Sequence, residues 1–292
     1  MHPFDVQFDD YSPADMEKRV ETASKNKAQL NFLSLLMLAI LAGSFIALGA
    51  QFYTVVTFDS NLSIGITRLV GGVAFSLGLI LVIVAGAELF TGNNLIMMGI
   101  ASGVVTYRQM LKNWLISYIG NFLGSISVVY LIYLTNLWKA KDCFLGASSV
   151  LIAASKVNLS FMEGFSRGIL CNALVCLAVW LCFSARTVIS KIAAIIFPIT
   201  AFVASGFEHS IANMYFIPLG MLLKNNPEVN SALIRINPGI NLSNLNILGF
   251  LGNLFSVTIG NIIGGAVMVG VVYWIIIVLP IRLKKKNDIF KV

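Results

Sequence analysis

The stretch ASGFEHSIANMY, residues 204–215, places Glu208 and His209 side by side inside a long apolar run. An ionisable side chain is expensive inside a bilayer, so any such residue there is a functional candidate. A second stretch, AGAELFTGNN at residues 85–94, places Glu88 in another apolar run. Both stretches contain the pattern G-x-E-x-x-x-x-N, formed by Gly86, Glu88 and Asn93 and by Gly206, Glu208 and Asn213.

The composition of the chain is that of an integral membrane protein. Of its 292 residues 58% are hydrophobic and 11% charged, whereas a soluble domain usually carries about 25% charged residues. The net charge of +7 does not indicate nucleic-acid binding, because Lys and Arg flank the apolar runs, where they set orientation. The first 28 residues lack an apolar core, so we expect no cleavable signal peptide. The four cysteines form no C-x-x-C pair, which predicts neither a metal site nor a disulfide framework.

The sequence predicts an all-α membrane protein with six transmembrane helices, since a spanning helix needs about 20 apolar residues. We divide the chain into a cytoplasmic N-terminal segment (1–28), a six-span membrane channel domain (29–281) and a basic cytoplasmic tail (282–292). The Lys and Arg bias favours both termini in the cytoplasm, and we expect the protein to lie in the cytoplasmic (inner) membrane. The predicted spans are Leu30–Ala50, Leu69–Tyr107, Asn113–Trp138, Gly168–Ala185, Ile192–Leu223 and Ile247–Leu279.

Matching features recur in the same order in spans 1–3 and spans 4–6. ILAGSFIALG in span 1 loosely parallels ILCNALVCLA in span 4, the glutamate pattern interrupts spans 2 and 5, and GNFLG (120–124) parallels GNIIG (260–264). Three spans per half turn the second half upside down, which predicts an inverted 3+3 repeat typical of transporters and channels. The glycines of GN-x-x-G are interpreted as close helix contacts, without chemistry.

The remaining segments are predicted to lie outside the membrane. Residues 11–28 are expected to form a short amphipathic helix, which either gates the cytoplasmic mouth or lies passively on the surface. Lys139–Val157 and Lys224–Asn246 contain turn formers and little periodicity, and we expect them to be outer loops.

A helix broken inside the membrane is tolerated only where it faces protein or a water-filled cavity. Gly86, Gly92 and Gly206 are expected to adopt the unusual backbone angles of such breaks. Asn93 and Asn213 are expected to bond the freed backbone groups and to cap the half-helices that follow. The positive ends of two inverted half-helices converge in this arrangement and attract an anion.

Two interpretations of the glutamates remain open. Glu88 and Glu208 either line the anion path or turn away from it and bind N–H groups of the breaks, and the second is favoured because intramembrane charges normally pair. His209 is either a buried neutral imidazole that satisfies a hydrogen bond or, as we favour beside a break, a functional group able to titrate near neutral pH. Thr91, in the corresponding place on the other break, is expected to meet the imidazole.

These elements, with the two GN-x-x-G segments, resemble the formate/nitrite transporter family over about residues 12–282, closest to its formate-channel branch. The resemblance implies an aquaporin-like six-helix protomer with spans 2 and 5 broken, assembled as a homopentamer with one pore per protomer. It implies transport of small monovalent anions of weak acids: formate, nitrite, hydrosulfide and, in some branches, acetate or lactate. We therefore expect a formate channel, with nitrite or hydrosulfide as alternatives, and no cofactor.

The resemblance also implies roles for individual residues. His209 is the central histidine, Thr91 its partner, Asn172 a polar residue linked to the central site, and Lys156 a basic residue near the outer vestibule. Without the resemblance, Lys156 is equally well an ordinary loop lysine. The apolar constrictions are assigned to Phe75, Leu79, Leu89, Phe90, Val175 and Phe202.

One question of mechanism and two alternative functions are considered. Transport is either passive or proton-linked, with His209 supplying a proton or remaining a hydrogen-bond donor while the anion itself passes. A neutral-solute channel of aquaporin type is disfavoured, because neither break carries Asn-Pro-Ala. A membrane-embedded hydrolase that uses Glu208 and His209 is disfavoured because the chain lacks H-E-x-x-H, so we expect no enzyme activity.

Overall fold

The structure, a computed structural model, describes residues 10–289, with side chains up to Leu283. Residues 1–9 and 290–292, together with the side chains of the predicted basic tail from Lys284 onward, lie outside the described residues. Within the described part every regular element is helical. The helices are α1 (Pro13–Gln29), α2 (Phe32–Thr57), α3 (Ile64–Ala85), α4 (Ile96–Ala101), α5 (Tyr107–Leu134), α6 (Ala140–Val157), α7 (Phe161–Ser184), α8 (Val188–Ala204), α9 (Ser210–Leu223), α10 (Pro227–Ile236), α11 (Ile247–Ile262) and α12 (Val272–Ile289).

Three further segments connect these helices. Short 3-10 turns at Gly92–Leu95 and Leu137–Lys139 precede α4 and α6, and a π-helical stretch at Ile263–Val271 joins α11 to α12. In the described range five helices are long and apolar enough to cross a bilayer: α2, α3, α5, α7 and the continuous helix Ile247–Leu283. The apolar helices α8 and α9 are shorter, with 17 and 14 residues.

Polar caps set where the long helices begin. Asn31 caps α2 by accepting the N–H of Ser34. Capping boxes open α5 and α7, each with a hydroxyl residue at the N-cap and a Gln or Glu three positions later. Because such caps satisfy the first free N–H groups of a helix, these apolar segments start at defined residues.

The two predicted breaks are present. α3 ends at Gly86, whose φ is 81°, and the chain after α8 turns at Gly206, whose φ is 72°. Both angles lie in the left-handed region that favours glycine. The expectation for Gly92 is wrong, because this residue opens a right-handed 3-10 turn instead.

Two segments predicted as outer loops are partly helical. Lys139–Val157 is almost entirely α6, which buries Leu145, Val150 and Ala153 and packs against α9 and α10. Asn226 and Pro227, taken as turn formers, are instead the N-cap and first residue of α10. Asn at the N-cap and Pro at the first helical position are common helix starts, so the same residues favour a turn or a helix depending on what packs behind them.

The GN-x-x-G segments form the closest helix contacts, as expected from their small residues. A Cβ atom at Gly124 of α5 would collide with the carbonyl oxygen of Ile40 in α2. A Cβ atom at Gly264 would collide in the same way with the carbonyl oxygen of Ile169 in α7. α5 therefore packs on α2 in the same way that α11, with the π-helical stretch, packs on α7.

The N-terminal helix α1 packs against the ends of other helices. The Tyr11 N–H donates to the Ser184 carbonyl at 3.1 Å, and the Tyr11 ring lies 4.0 Å from the guanidinium groups of both Arg19 and Arg186. Lys27 near the end of α1 reaches the first break. These contacts fix α1 against the ends of α4 and α7.

Candidate functional site

The two breaks meet at a contact between Thr91 and His209. Thr91 Oγ1 lies 3.0 Å from His209 Nε2, and both residues are buried. His209 is also the N-cap of α9, because its Nδ1 accepts the Ala212 N–H at 3.1 Å. A ring nitrogen that accepts an N–H carries no proton of its own, so the neutral imidazole bears its hydrogen on Nε2 and donates it to Thr91. The helix cap therefore selects the tautomer at the site.

His209 borders an apolar cavity that has no room for a water molecule. The Phe75 and Phe202 rings meet edge to face there, 5.6 Å between centroids, and the Phe202 ring lies 6.0 Å from the imidazole. The structure brings together five of the predicted constriction residues and adds Ile46 and Ile199, which sequence reasoning missed because nothing distinguishes them from other apolar span residues. The side chains around the cavity are Ile46, Phe75, Leu79, Leu89, Val175, Ile199, Phe202 and His209.

The assignment of Phe90 to the constriction is wrong. Its ring packs against Trp114 and Tyr118 of α5, with centroids 6.1 and 5.0 Å away, and it does not line the cavity. Leu89 lines the cavity, whereas the next residue packs against α5.

A vestibule opens on each side of the constriction. The α1 vestibule has a volume of about 240 Å³ and the α6 vestibule about 250 Å³. Three cations and one carboxylate line each wall, so both vestibules favour anions. The charged residues are Arg19, Lys27, Lys191 and Glu88 in the α1 vestibule, and Arg68, Lys156, Arg167 and Glu208 in the α6 vestibule.

Each glutamate binds side chains rather than the backbone N–H groups expected from the sequence. Glu88 accepts from Lys27 Nζ at 2.6 Å and from Asn93 Nδ2 at 2.8 Å. Glu208 accepts from Lys156 Nζ at 2.9 Å and from Asn213 Nδ2 at 2.7 Å.

These bonds correct two of the expectations. An ammonium offsets a buried carboxylate charge more fully than an amide N–H does, and the two asparagines of the pattern bind these carboxylates instead of capping the half-helices. Lys156 is therefore an ion-paired residue of α6 and not a loop lysine.

Asn121 and Asn261, which sequence reasoning left without a role, hold the backbone of the two breaks. Asn121 Oδ1 accepts the Phe90 N–H at 2.9 Å, and its amide donates to the Glu88 carbonyl at 3.0 Å. Asn261 Oδ1 accepts the Ser210 N–H at 2.9 Å, and its amide donates to the Glu208 carbonyl at 3.0 Å. The signal that could have found them is an amide residue inside an apolar span, repeated in both GN-x-x-G segments.

Asn172 joins the two breaks behind the site. Its Nδ2 donates to the Thr91 carbonyl at 3.2 Å and to the Asn261 carbonyl at 2.7 Å. Since Asn261 in turn binds Ser210 next to His209, a continuous set of hydrogen bonds runs from Thr91 to the start of α9. The role that the resemblance implies for Asn172 stays a prediction, with which these bonds are consistent.

Thr91 and His209 are not equivalent positions of the two patterns. Aligning Glu88 with Glu208 and Asn93 with Asn213 places Leu89 opposite His209, and Ile211 opposite Thr91. The expectation that Thr91 occupies the place of His209 is therefore wrong in register, although the two side chains do meet. Two breaks with matching patterns thus carry an asymmetric polar pair.

Comparison with known proteins identifies the family of the chain. A family model described as formate/nitrite transporter matches residues 14–275, most of the chain. The chain belongs to the formate/nitrite transporter family. It is 43% identical over 276 residues to the formate channel FocA of Escherichia coli (strain K12), covering 93% of this chain and 96% of that protein. FocA of Haemophilus influenzae is 38% identical, covering 89% and 92%.

A solved structure resembles the fold equally well. The pentameric formate channel with formate bound superposes with a TM-score of 0.76 at 42% identity, covering 84% of this chain and 97% of that one. These three relatives are channels, and the family resemblance inferred from the breaks is confirmed.

Proposed function

We propose that this chain forms a membrane channel for small monovalent anions of weak acids, with formate as the principal solute. The observation that carries the proposal is the position of the His209–Thr91 pair, between two cation-lined vestibules and beside a dry apolar constriction. The named relatives are formate channels, and the solved one has formate bound. Nitrite and hydrosulfide belong to the same class of solute and are the alternatives.

The proposed architecture is six spans in an inverted 3+3 repeat with the second and fifth broken, as in an aquaporin-like fold. The spans are α2, α3 with α4, α5, α7, α8 with α9, and α11 through α12. Recurring contacts support it: each break has a lysine–glutamate pair, an Asn on the carboxylate and an Asn on the backbone. The division at residues 28 and 281 stays part of this proposal.

Passage through the constriction needs a partner for the anion. A bare charge at the centre of a membrane costs between about 3 and more than 10 kcal/mol. The cationic vestibules concentrate the anion at either mouth, and the Nε2–H of His209 with the Thr91 hydroxyl replaces part of the lost water. Asn172 holds Thr91 in place for this contact.

The helix cap supports one of the two roles considered for His209. An imidazolium would carry a proton on Nδ1 and lose the bond from the Ala212 N–H. We therefore infer that His209 acts as a neutral hydrogen-bond donor while the anion passes, and that any proton linkage comes from protons that accompany the solute. A neutral-solute channel of aquaporin type is disfavoured because neither break carries Asn-Pro-Ala.

The solved pentameric relative supports a proposal about assembly. We propose a homopentamer, one pore per protomer, in the cytoplasmic membrane with both termini in the cytoplasm. Large apolar side chains exposed on α2, α5 and α11, such as Leu33, Leu115 and Phe255, suit contact with lipid or with neighbouring protomers.

Uptake by proteoliposomes tests the proposed function. Formate, nitrite and hydrosulfide are compared at two pH values, with glycerol as the neutral solute and protein-free liposomes as the blank. We expect saturable formate uptake above that of the other anions and no glycerol flux. Formate uptake equal to the blank, or glycerol flux above it, would contradict the proposal.

A further inference from the structure

A hydrogen-bonding thiol lies directly behind the proposed transport site. Cys176 Sγ of α7 is 3.4 Å from the carbonyl oxygen of Thr91, and Cys176 is fully buried. The same oxygen accepts from Asn172 Nδ2 at 3.2 Å and from the Asn94 backbone N–H at 3.4 Å. Three donors therefore hold the backbone of the residue whose hydroxyl faces the His209 imidazole.

The two breaks differ in how the chain resumes, and this difference explains the need for side-chain donors. Ile211, the register equivalent of Thr91, lies in the first turn of α9, where its carbonyl belongs to the regular helical ladder. After the first break the chain resumes at Gly92 as a 3-10 turn, whose hydrogen-bond geometry is poorer. The backbone bond to the Thr91 carbonyl is accordingly long, and side chains complete its hydrogen bonding.

The other half of the chain provides an internal comparison for these donors. Gly124 packs on Ile40 as Gly264 packs on Ile169, so Ile40 and Ile169 are equivalent. Continuing in that register places Gly43 opposite Asn172 and Ala47 opposite Cys176. Gly43 meets the Asn121 carbonyl as Asn172 meets that of Asn261, which supports the alignment. Neither Gly43 nor Ala47 has a side-chain donor. The side-chain donors therefore occur beside the first break, where the backbone bond to the Thr91 carbonyl is long.

The surroundings of Cys176 keep its thiol in this position. Gly265, in the π-helical stretch, packs so closely that a Cβ atom there would lie 2.7 Å from Cys176 Sγ and 2.9 Å from Asn94 Cβ. π-Helical segments are rare and frequently lie at functional sites. Only a glycine backbone therefore fits here, against both the Cys176 thiol and the Asn172 amide.

We propose that Cys176 is a positioning residue for transport: it donates its thiol hydrogen to the Thr91 carbonyl and so fixes the Thr91 hydroxyl against His209. The inference rests on the proposed function where uptake is the readout. Because the thiol acts through Thr91 and never touches the anion, its loss raises the half-saturating formate concentration and leaves the fold intact.

A set of cysteine variants tests the proposal in proteoliposomes. Cys176→Ala removes the donor, Cys176→Ser keeps one, and Cys171→Ala is the matched control, since Cys171 is equally buried on the same helix. One hydrogen bond predicts about three- to tenfold weaker half-saturation for Cys176→Ala, near-complete recovery for Cys176→Ser, and little change for Cys171→Ala. In a Thr91→Val background, Cys176→Ala is expected to have no further effect.

Three outcomes would overturn the proposal. They are equal uptake by the Ser and Ala variants, an equal loss in the Cys171 control, or an undiminished effect of Cys176→Ala in the Thr91→Val background.

The infrared S–H stretching band gives a readout independent of transport. The wild-type minus Cys176→Ala difference should show a band shifted by hydrogen bonding, whereas an unshifted band contradicts the thiol bond. If the unaltered chain takes up no formate, the proposed function fails while this band still tests the thiol.

Discussion

Lys27 and Lys156 lie on different helices and make the same two contacts. The ammonium of each binds the glutamate of one break, at 2.6 Å for Glu88 and 2.9 Å for Glu208. The carbonyl oxygen of each accepts a side-chain amide, from Asn113 at 3.1 Å for Lys27 and from Asn253 at 2.9 Å for Lys156.

Each break is thus held by the helix that precedes its half of the chain. The carboxylate charge is offset where it is buried, and the carbonyl contact fixes the end of α1 or of α6. The vestibule walls and the breaks are consequently parts of one hydrogen-bonded unit, on which the position of the transport site depends.

Removing one lysine should leave a buried carboxylate unpaired. We expect Lys156→Met to destabilise the protein by about 3 kcal/mol, because breaking a buried ion pair strands the remaining charge. Lys27→Met should cost less, since its side chain is 30% exposed against 13% for Lys156. Unfolding in mixed detergent micelles measures both, with the exposed Lys25→Met as the control. If Glu208→Gln added to Lys156→Met restored no stability, the pairing account would be wrong.

Asn121 and Asn261 should contribute equally to the breaks. Replacing either by alanine leaves one N–H and one carbonyl group of the buried break backbone without their partner. At about 1–3 kcal/mol for an unsatisfied buried group, we expect each variant to lose at least about 2 kcal/mol, measured as above. Asn61→Ala, in the exposed turn after α2, should change nothing. A loss confined to one of the two asparagines would argue against matched breaks.

Docking of α1 should weaken as pH rises. Burial raises the pKa of Glu17 from 4.5 to about 7, with contributions from its hydrogen bond to Glu21 and the charge of Glu21, while Arg282 and Lys18 lower it. Because the pKa of Glu17 is higher in the docked state, docking favours the protonated carboxyl. The contribution of Glu17 to docking is therefore fully present below about pH 4.5 and is lost as pH rises through about 7.

Backbone hydrogen exchange in α1 at pH 5 and pH 8, corrected for intrinsic rates, measures this effect. Protection should fall at the higher pH in the wild type and stay level in Glu17→Gln. Equal pH dependence in both proteins would remove Glu17 as the cause. Formate uptake by a truncation lacking residues 1–26 then shows whether α1 gates: unaltered flux and pH response mean that it does not.

Substitutions of His209 should separate its helix cap from its donor role. Asn is a good N-cap with an amide donor, whereas Phe retains ring size but neither function. We expect His209→Phe to lose about 1 kcal/mol of stability and most formate uptake, and His209→Asn to keep its stability and part of its uptake. Melting and proteoliposome uptake measure the two effects. Wild-type uptake and pH response in His209→Phe would show that the imidazole has no role.

Local patterns were enough to predict the breaks and the polar pair. The repeated G-x-E-x-x-x-x-N pattern located both interruptions, because only Gly86 and Gly206 supply the left-handed angle there. The contact between Thr91 and His209 followed from two breaks meeting at one place. Each pattern is local in the sequence, whereas the Thr91–His209 contact joins two patterns that lie far apart along the chain.

Contacts between distant segments were not predictable in the same way. Nothing near Lys27 in the sequence indicates that it pairs with Glu88 on another helix. α6 is helical because of what it packs against, which its turn-forming residues conceal. Phe90 and Leu89 differ only in the side of the chain they face, which is set by α5 and not by residue type.

The central claim is that His209 is a neutral donor, with its hydrogen on Nε2, which holds the anion beside Thr91. The chain contains two histidines, so a His2→Gln protein labelled with ¹⁵N-histidine reports on His209 alone. Solid-state NMR of this protein in bilayers, with and without formate across the pH range of transport, is the most direct test. We predict a neutral ring with Nε2 protonated and a formate-dependent shift of Nε2 but not of Nδ1. A charged ring, a proton on Nδ1, or two resonances unmoved by formate would contradict the account.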